Sequence, residues 1–512
     1  MPGNGLWRTK SVEQSIADTD MPESRLRKNL SAWDLTVFGV AVVIGAGIFT
    51  LTASTAGDLS GPSVSLAFVL AAVACALAAL CYAEFASTVP VAGSAYTFSY
   101  ATFGEFLAWI IGWDLVLEFA VGAAAVATGW SEYLQTVLGY LFGEGVRTSA
   151  DVGGLSVNWG ALLLITVLAV LLVAGTKLSS RVSMVITAIK VAIVLFVILF
   201  GLSFVTAANY SPFIPPGQSA ESAATGVDQT VFSWLAGGAS SAFGVFGLLA
   251  GASLVFFAFI GFDVVATTAE ETREPKRAVP RGILGSLAIV TVLYVATALV
   301  VTGMVPYTDL ATAEDGTRQT LATAFALNDV DWAANVVSVG ALTGLTTVVM
   351  VLMLGQVRVL FAMSRDGLLP RGLARTGELG TPVRATILVA ALVAAAATFF
   401  PAGKLEEMVN VGTLFAFILV SAGVMVLRRT HPDLRRAFRV PALPVVGPAA
   451  ILACLWLMLN LTILTWVRFV AWMVLGMVIY FLYGRRHALL GLRGATPTQL
   501  PVEGADPKAT PR

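Results

Sequence analysis

The chain has 512 residues, of which 57% are hydrophobic and only 12% charged, and its 31 basic and 31 acidic residues balance to a net charge of zero. A water-soluble domain of this length cannot place so much apolar side chain on its surface, so the composition excludes a soluble globular protein. We expect a lipid bilayer as the surroundings of the chain and no nucleic-acid partner.

Apolar segments long enough to cross a bilayer recur along the chain. A transmembrane helix needs about 20 consecutive apolar residues, and that window predicts an all-α membrane protein with twelve spans. They lie near 35–56, 63–83, 104–128, 157–174, 182–206, 243–268, 281–304, 332–361, 384–400, 405–427, 445–465 and 469–484. We expect one membrane domain, preceded by a cytoplasmic tail at 1–30 without a signal peptide and followed by a disordered cytoplasmic tail at 487–512.

The distribution of positive charge predicts the orientation. If both termini are cytoplasmic, 25 of the 31 lysines and arginines fall on the inner side, four outside and two within spans. Cytoplasmic loops carry an excess of Lys and Arg in membrane proteins. We therefore expect a multi-pass protein of the cytoplasmic membrane with both termini inside.

Two of the predicted spans are interrupted near their centres. The sequence Gly45-Ala46-Gly47 breaks the first span, and a run from Phe256 to Asp263 that includes Gly261 breaks the sixth. Glycine is a poor residue for a helix interior and a charged residue is costly against lipid, so these interruptions predict half-helices around a buried polar site. Secondary transporters hold their substrates at such sites.

The ends of the predicted half-helices have opposite polarity. Free N–H groups after the first break favour a carboxylate, and free carbonyls at the second break favour an ammonium group. The pair therefore predicts a site for a zwitterion. The candidate substrate-binding residues at the breaks are Val43, Ile44, Gly45, Ala46, Gly47, Phe256, Phe257, Ala258, Phe259, Ile260 and Gly261.

Other interpretations of these segments stay open. Small residues also let helices pack closely in membrane bundles. The rings of Phe256, Phe257 and Phe259 can be lipid or core packing, with one or two of them lining or gating a cavity. Asp263 either caps the broken helix or faces the cavity.

Two ionisable residues within spans are candidates for proton coupling. Lys190 lies in the fifth span, where it can snorkel to the inner face, or prop the broken first helix in place of a coupling sodium ion and release a proton once desolvated. Asp114 and Glu118 are four residues apart and share one face of the third span. They can relay protons, contact a cationic substrate, or bond to backbone or Trp113, and Glu118 is the deeper of the two.

The sequence predicts neither a cofactor nor a metal site. Its three cysteines fall within spans and its two histidines do not. Because no set of Cys, His and carboxylate residues has ligand spacing, and no nucleophile with a base lies within the spans, we expect a protein that is not an enzyme.

Several ordered motifs resemble the amino acid-polyamine-organocation superfamily, and four of them resemble its cationic amino acid transporter branch. The first group is Trp33-Asp34-Leu35-Thr36, Ile44-Gly45-Ala46-Gly47-Ile48-Phe49, Cys81-Tyr82-Ala83-Glu84-Phe85-Ala86 and Pro90-Val91-Ala92-Gly93-Ser94-Ala95-Tyr96. The branch motifs are Gly112-Trp113-Asp114-Leu115-Val116-Leu117-Glu118, the run from Phe256 to Phe262, Glu270-Glu271-Thr272-Arg273-Glu274-Pro275 with Ala278-Val279-Pro280, and Ser364-Arg365-Asp366-Gly367-Leu368-Leu369-Pro370. The similarity covers about residues 30 to 485.

This resemblance implies a fold. It is an all-α membrane protein of 12 transmembrane helices, in which a 5+5 inverted-repeat (LeuT-like) core with discontinuous helices 1 and 6 is followed by two additional helices. The boundaries it implies are 31–210 for the first repeat, 240–428 for the second, and 444–486 for helices 11 and 12.

The resemblance also implies roles for individual residues. The substrate carboxylate would meet backbone at Val43, Ala46 and Gly47, and the amine would meet the carbonyls of Phe257, Ala258 and Ile260. Lys190 matches the lysine that replaces a sodium site in proton-linked members. Leu345 falls at a position facing the side-chain pocket, where its bulk disfavours a long guanidinium group.

These observations predict a secondary active transporter of L-amino acids that works by alternating access, with proton-coupled uptake of neutral amino acids. An amino acid exchanger, a transporter of cationic amino acids or polyamines, and a non-transporting sensor are the alternatives. The expected partners are an L-amino acid, protons and the bilayer. A small accessory membrane protein is left open.

Overall fold

A computed structural model of the chain describes most of its residues. The described residues are 30–88, 96, 99–100, 103–143, 146–152, 155–175, 180–218, 226–237, 242–262, 265, 272–313, 317–377, 381–430, 432, 436 and 438–488. Asp263, for which the sequence leaves a cap or a cavity position open, lies outside them.

Twelve principal helices follow one another along the described chain. They are α1 Ala32–Val43, α2 Val64–Thr88, α3 Glu105–Phe142, α4 Trp159–Val173, α5 Ser180–Gly201, α6 Gly244–Val255, α7 Pro275–Met304, α8 Asp331–Arg365, α9 Val383–Phe399, α10 Ala402–Thr430, α11 Leu443–Leu459 and α12 Ile463–Ile479. Between α1 and α2 the chain forms the π-helical turn Gly47–Leu51, the α-helical turn Thr52–Thr55, the π-helical turn Ala56–Ser60 and the 3₁₀ turn Gly61–Ser63.

Shorter elements lie between and after these helices. They are the α-helical turns Val231–Leu235, Leu321–Ala326 and Arg485–His487, the 3₁₀ turns Leu202–Phe204, Ala207–Tyr210, Gly226–Asp228, Phe256–Phe259, Tyr307–Leu310 and Arg371–Ala374, and the π-helical turn Tyr480–Gly484. The strands β1 Ser149–Val152 and β2 Leu155–Asn158 pair antiparallel, with Ser149 opposite Asn158.

Length and composition identify the helices that can cross a membrane. Among the described residues seven qualify: Gly47–Thr88, Glu105–Phe142, Met184–Phe204, Arg277–Met304, Asp331–Arg365, Ala402–Thr430 and Ile463–His487. Five shorter apolar helices accompany them: Ala32–Val43, Trp159–Val173, Gly244–Phe259, Val383–Phe399 and Leu443–Leu459. Each predicted span overlaps one of these segments, and twelve crossings stay a prediction. Large apolar side chains such as Leu199, Val292 and Ile387 point outward, as lipid contact requires.

The third helix is longer than the sequence predicts. We predicted a span ending near residue 128, and α3 continues to Phe142. The polar residues that follow 128, including Ser131, Glu132 and Gln135, lower the hydropathy without breaking the helix. Hydropathy therefore located the apolar part of this helix and not its end.

Local sequence explains several helix starts. The Ser31 side chain accepts from the Asp34 N–H while the Asp34 carboxylate accepts from the Ser31 N–H at 2.8 Å, which is a capping box at the start of α1. Asn158 caps α4 by accepting from the Ala161 N–H at 3.0 Å. These caps fix where α1 and α4 begin.

The helices pack in two groups. In the first group α7 lies along α1 and α2, and α6 also packs on α2. In the second, α3 lies along α8 and α10, with α4 and α9 against its outer side. The interruptions of α1 and α6 meet in the buried interior, where the candidate site lies.

Candidate functional site

The break in the first helix occupies three residues. Helix α1 ends at Val43, Ile44 has an extended backbone with φ −67° and ψ 92°, and helical turns resume at Gly47. The Ile44 N–H still donates to the Val40 carbonyl at 2.9 Å. Carbonyls in the last turn of α1 therefore lack intrahelical donors at the break, as they do at any helix C-terminus.

The break after α6 contains a backbone conformation that only glycine adopts easily. The 3₁₀ turn Phe256–Phe259 follows α6, Ile260 is extended with φ −64° and ψ 136°, and Gly261 has φ +116°. A side chain at that φ would be strained. The glycine thus permits the chain to turn away from the helix axis here.

The two breaks touch each other through their smallest residues. A Cβ atom on Gly47 would lie 2.1 Å from the Ala258 Cα, far inside van der Waals contact. A Cβ atom on Gly261 would lie 2.9 Å from Cγ1 of Val42, next to the first break. From sequence, these glycines could belong either to helix packing or to a site. In the structure they allow the backbones of the two breaks to approach closely.

A small cavity lies beside the crossing point. Its volume is about 40 Å³, which is room for about three water molecules. It is lined by Val42, Val43, Gly45, Ala46, Gly47, Glu118, Phe119, Gly122, Val126, Phe257, Ile260, Gly261, Val348, Val351, Leu352 and Val409. Within this described wall Glu118 is the one ionisable side chain, and the other side chains are apolar.

The structure brings eight of the predicted site residues to the cavity. They are Val43, Gly45, Ala46, Gly47, Glu118, Phe257, Ile260 and Gly261. The remaining predicted residues are buried nearby without lining it. Phe256 packs edge-on against Phe417 with ring centroids 5.9 Å apart, and Phe259 packs against Tyr294 at 5.3 Å. Ile44 is fully buried, and Ala258 lies under Gly47.

Leu345 does not line the cavity, contrary to the position implied by the family resemblance. It is fully buried on α8, and the cavity-lining residues of that helix are Val348, Val351 and Leu352. The register of α8 explains this, because Val348 lies one turn further along and packs within 3.3 Å of the position where Gly45 would carry a Cβ. The side chain nearest the first break is therefore Val348.

Lys190 lies behind the first break and does not line the cavity. Its Nζ donates to the Ala41 carbonyl at 3.0 Å, in the last turn of α1, and the residue is 3% exposed. Its alkyl stem crosses α8 at Gly344, where a Cβ would lie 2.9 Å from Cγ. An ammonium group at a helix C-terminus stabilises the carbonyls there, so Lys190 supports the interrupted helix.

The two carboxylates of α3 differ in their surroundings. Glu118 is in the cavity wall and 3% exposed. Asp114, one turn earlier, is fully buried, and within the described part of the chain neither of its carboxyl oxygens has a hydrogen-bond partner. A Cβ on Gly412 of α10 would lie 2.9 Å from its Oδ1. Asp114 therefore packs between helices rather than at the cavity.

Tyr294 is part of this region, and sequence analysis did not single it out. Its hydroxyl oxygen lies 2.7 Å from the Val43 carbonyl oxygen and 3.0 Å from the Ala258 carbonyl oxygen. The side chain is fully buried on α7. The signal that could have found it is a single tyrosine in the middle of a predicted span.

A buried ion pair lies between the second half of the first helix and α10. Arg318, in the loop between α7 and α8, lies 2.8 Å from Glu406 and donates to Ser54 at 3.1 Å. Burial alone lowers the pKa of a guanidinium, but the carboxylates of Glu406 and Glu132 raise the pKa of Arg318 above its usual value. The sequence alone does not indicate this pair, because Glu406 and Ser54 are 88 and 264 residues away from Arg318.

Together these features define a class of protein. Apolar helices surround a small enclosed cavity, and two interrupted helices form part of its wall, which is an arrangement typical of membrane transport proteins. The glycines and the backbone of the interruptions, rather than a set of catalytic side chains, form the core of the site.

Comparison with known proteins specifies the family. A family model described as "Amino acid permease" matches residues 30–484, and the chain belongs to this family, within the amino acid-polyamine-organocation superfamily. It is 41% identical over 494 residues to a methylthioribose transporter of Bacillus subtilis (strain 168), covering 95% of this chain and 99% of the relative. A branched-chain amino acid permease of the same organism is also 41% identical, over 495 residues, with 95% and 99% covered. The vacuolar cationic amino acid transporter 4 of Arabidopsis thaliana is 37% identical, with 84% of this chain and 68% of the relative covered.

Proposed function

We propose that this permease carries neutral L-amino acids into the cell by alternating access, coupled to protons. The observation that carries the proposal is the meeting of two interrupted helices at one cavity. Backbone on both sides of the first break, and the carbonyl end of the second, line the same small space. A zwitterion needs donors for its carboxylate and acceptors for its amine, and these two ends supply them.

The apolar wall supports a neutral side chain. Val348, Val351 and Leu352 face the breaks from α8, and Val409 does so from α10. A long cationic side chain would have to lose its hydration against these residues with Glu118 as the one charged group of the described wall. The cavity must also widen to admit any amino acid, since it has room for only about three water molecules.

Two buried ionisable residues support proton coupling. Lys190 contacts the Ala41 carbonyl at the end of α1, and Glu118 lies in the cavity wall. Loss of the Lys190 proton would remove the cation that stabilises this helix end. A proton on Lys190 and the geometry of the first break are therefore linked, which is what coupling of a proton to substrate movement requires.

Helix packing supports a fold of 12 transmembrane helices with a 5+5 inverted-repeat core. Helix α2 packs against α7, α3 against α8 and α4 against α9, and the break of α1 meets the break of α6. In each pair the two helices are five apart in order, as two related halves of five helices would place them. The two packing groups are candidates for the parts that rock against each other.

A panel of labelled solutes tested in proteoliposomes would decide the substrate and the coupling. The panel contains L-alanine, L-valine, L-leucine, L-arginine and methylthioribose, each with and without an inward proton gradient. We expect gradient-driven uptake of neutral amino acids and little uptake of arginine or methylthioribose. Uptake of arginine alone, or of methylthioribose alone, would contradict the proposed substrate.

Preloaded vesicles separate uptake from exchange. A proton-coupled carrier fills empty vesicles when a gradient is imposed, whereas an obligate exchanger fills only vesicles that already contain an amino acid. Binding of an amino acid without flux under either condition would indicate a sensor.

A further inference from the structure

The Tyr294 hydroxyl is placed between the two interrupted helices. It lies 2.7 Å from the carbonyl oxygen of Val43, the last residue of α1, and 3.0 Å from that of Ala258, in the 3₁₀ turn that follows α6. Carbonyls at helix ends lack their intrahelical donors and need others. Tyr294 thus contacts both breaks with one atom.

The position of this hydroxyl is fixed by its surroundings. The Tyr294 ring lies 5.6 Å from the Phe68 ring of α2 and 5.3 Å from the Phe259 ring, and these two phenylalanines also contact each other at 6.3 Å. Such a cluster of buried rings holds the side chain in one orientation. The hydroxyl therefore acts as a fixed reference point for both carbonyls.

One hydroxyl cannot satisfy both neighbours at once. It has a single hydrogen to donate, and a carbonyl oxygen accepts only. Without the hydroxyl, the carbonyl oxygens of Val43 and Ala258 would both lose this donor in the buried interior, which favours their separation. The Tyr294 hydroxyl therefore keeps the two breaks close together.

We propose that Tyr294 is a positioning residue that sets the separation of the two breaks and so makes the site selective for α-amino acids over β-amino acids. The inference rests on the proposed function, in which the first break binds the substrate carboxylate and the second its amine. In an α-amino acid both groups are on one carbon, and in a β-amino acid an additional carbon separates them. A fixed distance between the breaks selects the shorter arrangement, and Tyr294 acts on that distance through the Val43 and Ala258 carbonyls.

The test compares 2-aminobutanoate with its isomer 3-aminobutanoate in transport by Tyr294→Phe, which keeps the ring packing and removes the hydroxyl. We expect KM for the α isomer to rise about tenfold, the loss typical of one buried hydrogen bond. KM for the β isomer should change less, so the ratio between the isomers falls. A role in folding alone would lower the maximal rate for both isomers and leave the ratio of their KM values unchanged.

Tyr133→Phe is the matched control. Tyr133 is equally buried, and its hydroxyl donates to the Phe49 carbonyl at 2.6 Å. Neither tyrosine lines the cavity, but the Tyr133 hydroxyl contacts the segment after the first break and does not join the two breaks as Tyr294 does. The ratio between the isomers in Tyr133→Phe should therefore stay at the wild-type value. An unchanged ratio in Tyr294→Phe, or an equal fall in Tyr133→Phe, would overturn the inference.

The wild-type protein provides a second measurement if Tyr294→Phe does not fold. The fixed separation predicts at least about tenfold preference for 2-aminobutanoate over 3-aminobutanoate. Equal transport of the two isomers would overturn the role of Tyr294 and leave amino acid transport intact. Transport of neither, nor of any other amino acid, would overturn the proposed function itself and this inference with it.

Discussion

At the scale of single residues, a mutation of Lys190 can remove its charge and keep the packing of its side chain. Lys190→Met keeps the alkyl stem that packs over Gly344 and removes the ammonium that contacts the Ala41 carbonyl. We expect uptake that no longer responds to an inward proton gradient. Initial rates in proteoliposomes, measured with and without the gradient, check this.

Lys404→Met controls for the loss of one lysine. Lys404 pairs with Asp228 at 2.9 Å on the surface, remote from the cavity wall. Its variant should keep the full response to the gradient. Gradient-dependent uptake at the wild-type level in Lys190→Met would remove the proton role from this residue.

Gly47 tests whether the contact between the breaks is required. A methyl group there would overlap the Ala258 Cα, so Gly47→Ala must push the two breaks apart. We expect loss of substrate binding by equilibrium dialysis in protein that still elutes as a single folded species. Gly139→Ala, at a helical glycine with no neighbouring atom within 4 Å, should bind as the wild type does. Wild-type affinity in Gly47→Ala would show that the breaks can separate freely.

The sequence indicated the glycines of the site better than its polar contacts. Gly45, Gly47 and Gly261 stand out because glycine is unfavourable in a helix interior. Tyr294 and Arg318 do not stand out, because their partners are far along the chain. Tyr294 is 251 residues from Val43, and Arg318 is 264 residues from Ser54. Only the packing of the helices brings such residues together.

At the scale of elements, the register of α8 determines which of its side chains line the cavity. Val348→Ala removes two methyl groups from the cavity wall, so larger side chains should be accepted better. We expect KM for L-leucine relative to L-alanine to fall by roughly tenfold, the discrimination typical of a methylene-sized change in an apolar pocket. Competition against labelled L-alanine measures this ratio.

Leu345→Ala is the control within the same helix. Leu345 is buried one turn before Val348 and does not line the cavity. Its variant should lose stability from the internal void without altering the preference between substrates. A shift in preference for Leu345→Ala, with none for Val348→Ala, would place the pocket one turn earlier, as the family resemblance implies.

The loop between α7 and α8 is joined to the bundle by a buried ion pair. Arg318→Met would leave Glu406, which is 1% exposed, without its cation. Breaking a buried pair costs about 3 to 5 kcal/mol, so thermal unfolding in detergent should occur at a clearly lower temperature. The double variant Arg318→Met/Glu406→Gln should recover part of that loss, because position 406 no longer carries an unpaired buried charge.

The exposed pair Lys404–Asp228 calibrates this result. Its separation of 2.9 Å is nearly the same as the 2.8 Å of Arg318–Glu406, but its side chains are 27% and 56% exposed. Exposed pairs contribute less than about 1 kcal/mol, so Lys404→Met should change the unfolding temperature little. Equal effects of the two single variants would show that Arg318 is not held in a low-dielectric environment.

Element boundaries show where hydropathy reasoning stops. The window method found the apolar part of α3 but missed its continuation to Phe142, and it gave no sign of the hairpin of β1 and β2. Polar residues that leave the bilayer can remain helical, and hydropathy does not report helical propensity. Capping residues such as Ser31 and Asn158 indicate where a helix begins, which hydropathy does not.

At the scale of the whole molecule, the distribution of charge predicts a topology that labelling can test. Arg147 precedes the hairpin on the predicted outer side, and Arg429 ends α10 on the predicted inner side. Both positions are exposed. In intact cells a membrane-impermeant maleimide should label Arg147→Cys and should label Arg429→Cys only after permeabilisation. The reverse pattern would invert the orientation.

The native cysteines favour this experiment. Cys75, Cys81 and Cys454 are all buried, so the unmodified chain should give little background. Labelling of both introduced cysteines in intact cells would indicate leaky membranes. Labelling of a cytoplasmic marker protein in the same cells detects such leakage.

The contact of the two interrupted helices through Gly47 and Ala258 has a consequence for how the protein can evolve. Gly45, Gly47 and Gly261 are part of the cavity wall on that side, so main-chain atoms line it there, and no exchange of side chains alters a peptide group. An alanine scan would therefore detect little of the contribution that these main-chain atoms make to substrate binding under the proposed function. New cargo preferences must arise by changes on the opposite wall, where α8 and α10 present replaceable side chains. Under the proposed function, recognition of the polar head of the cargo and choice of its tail are thus encoded separately and can diverge independently.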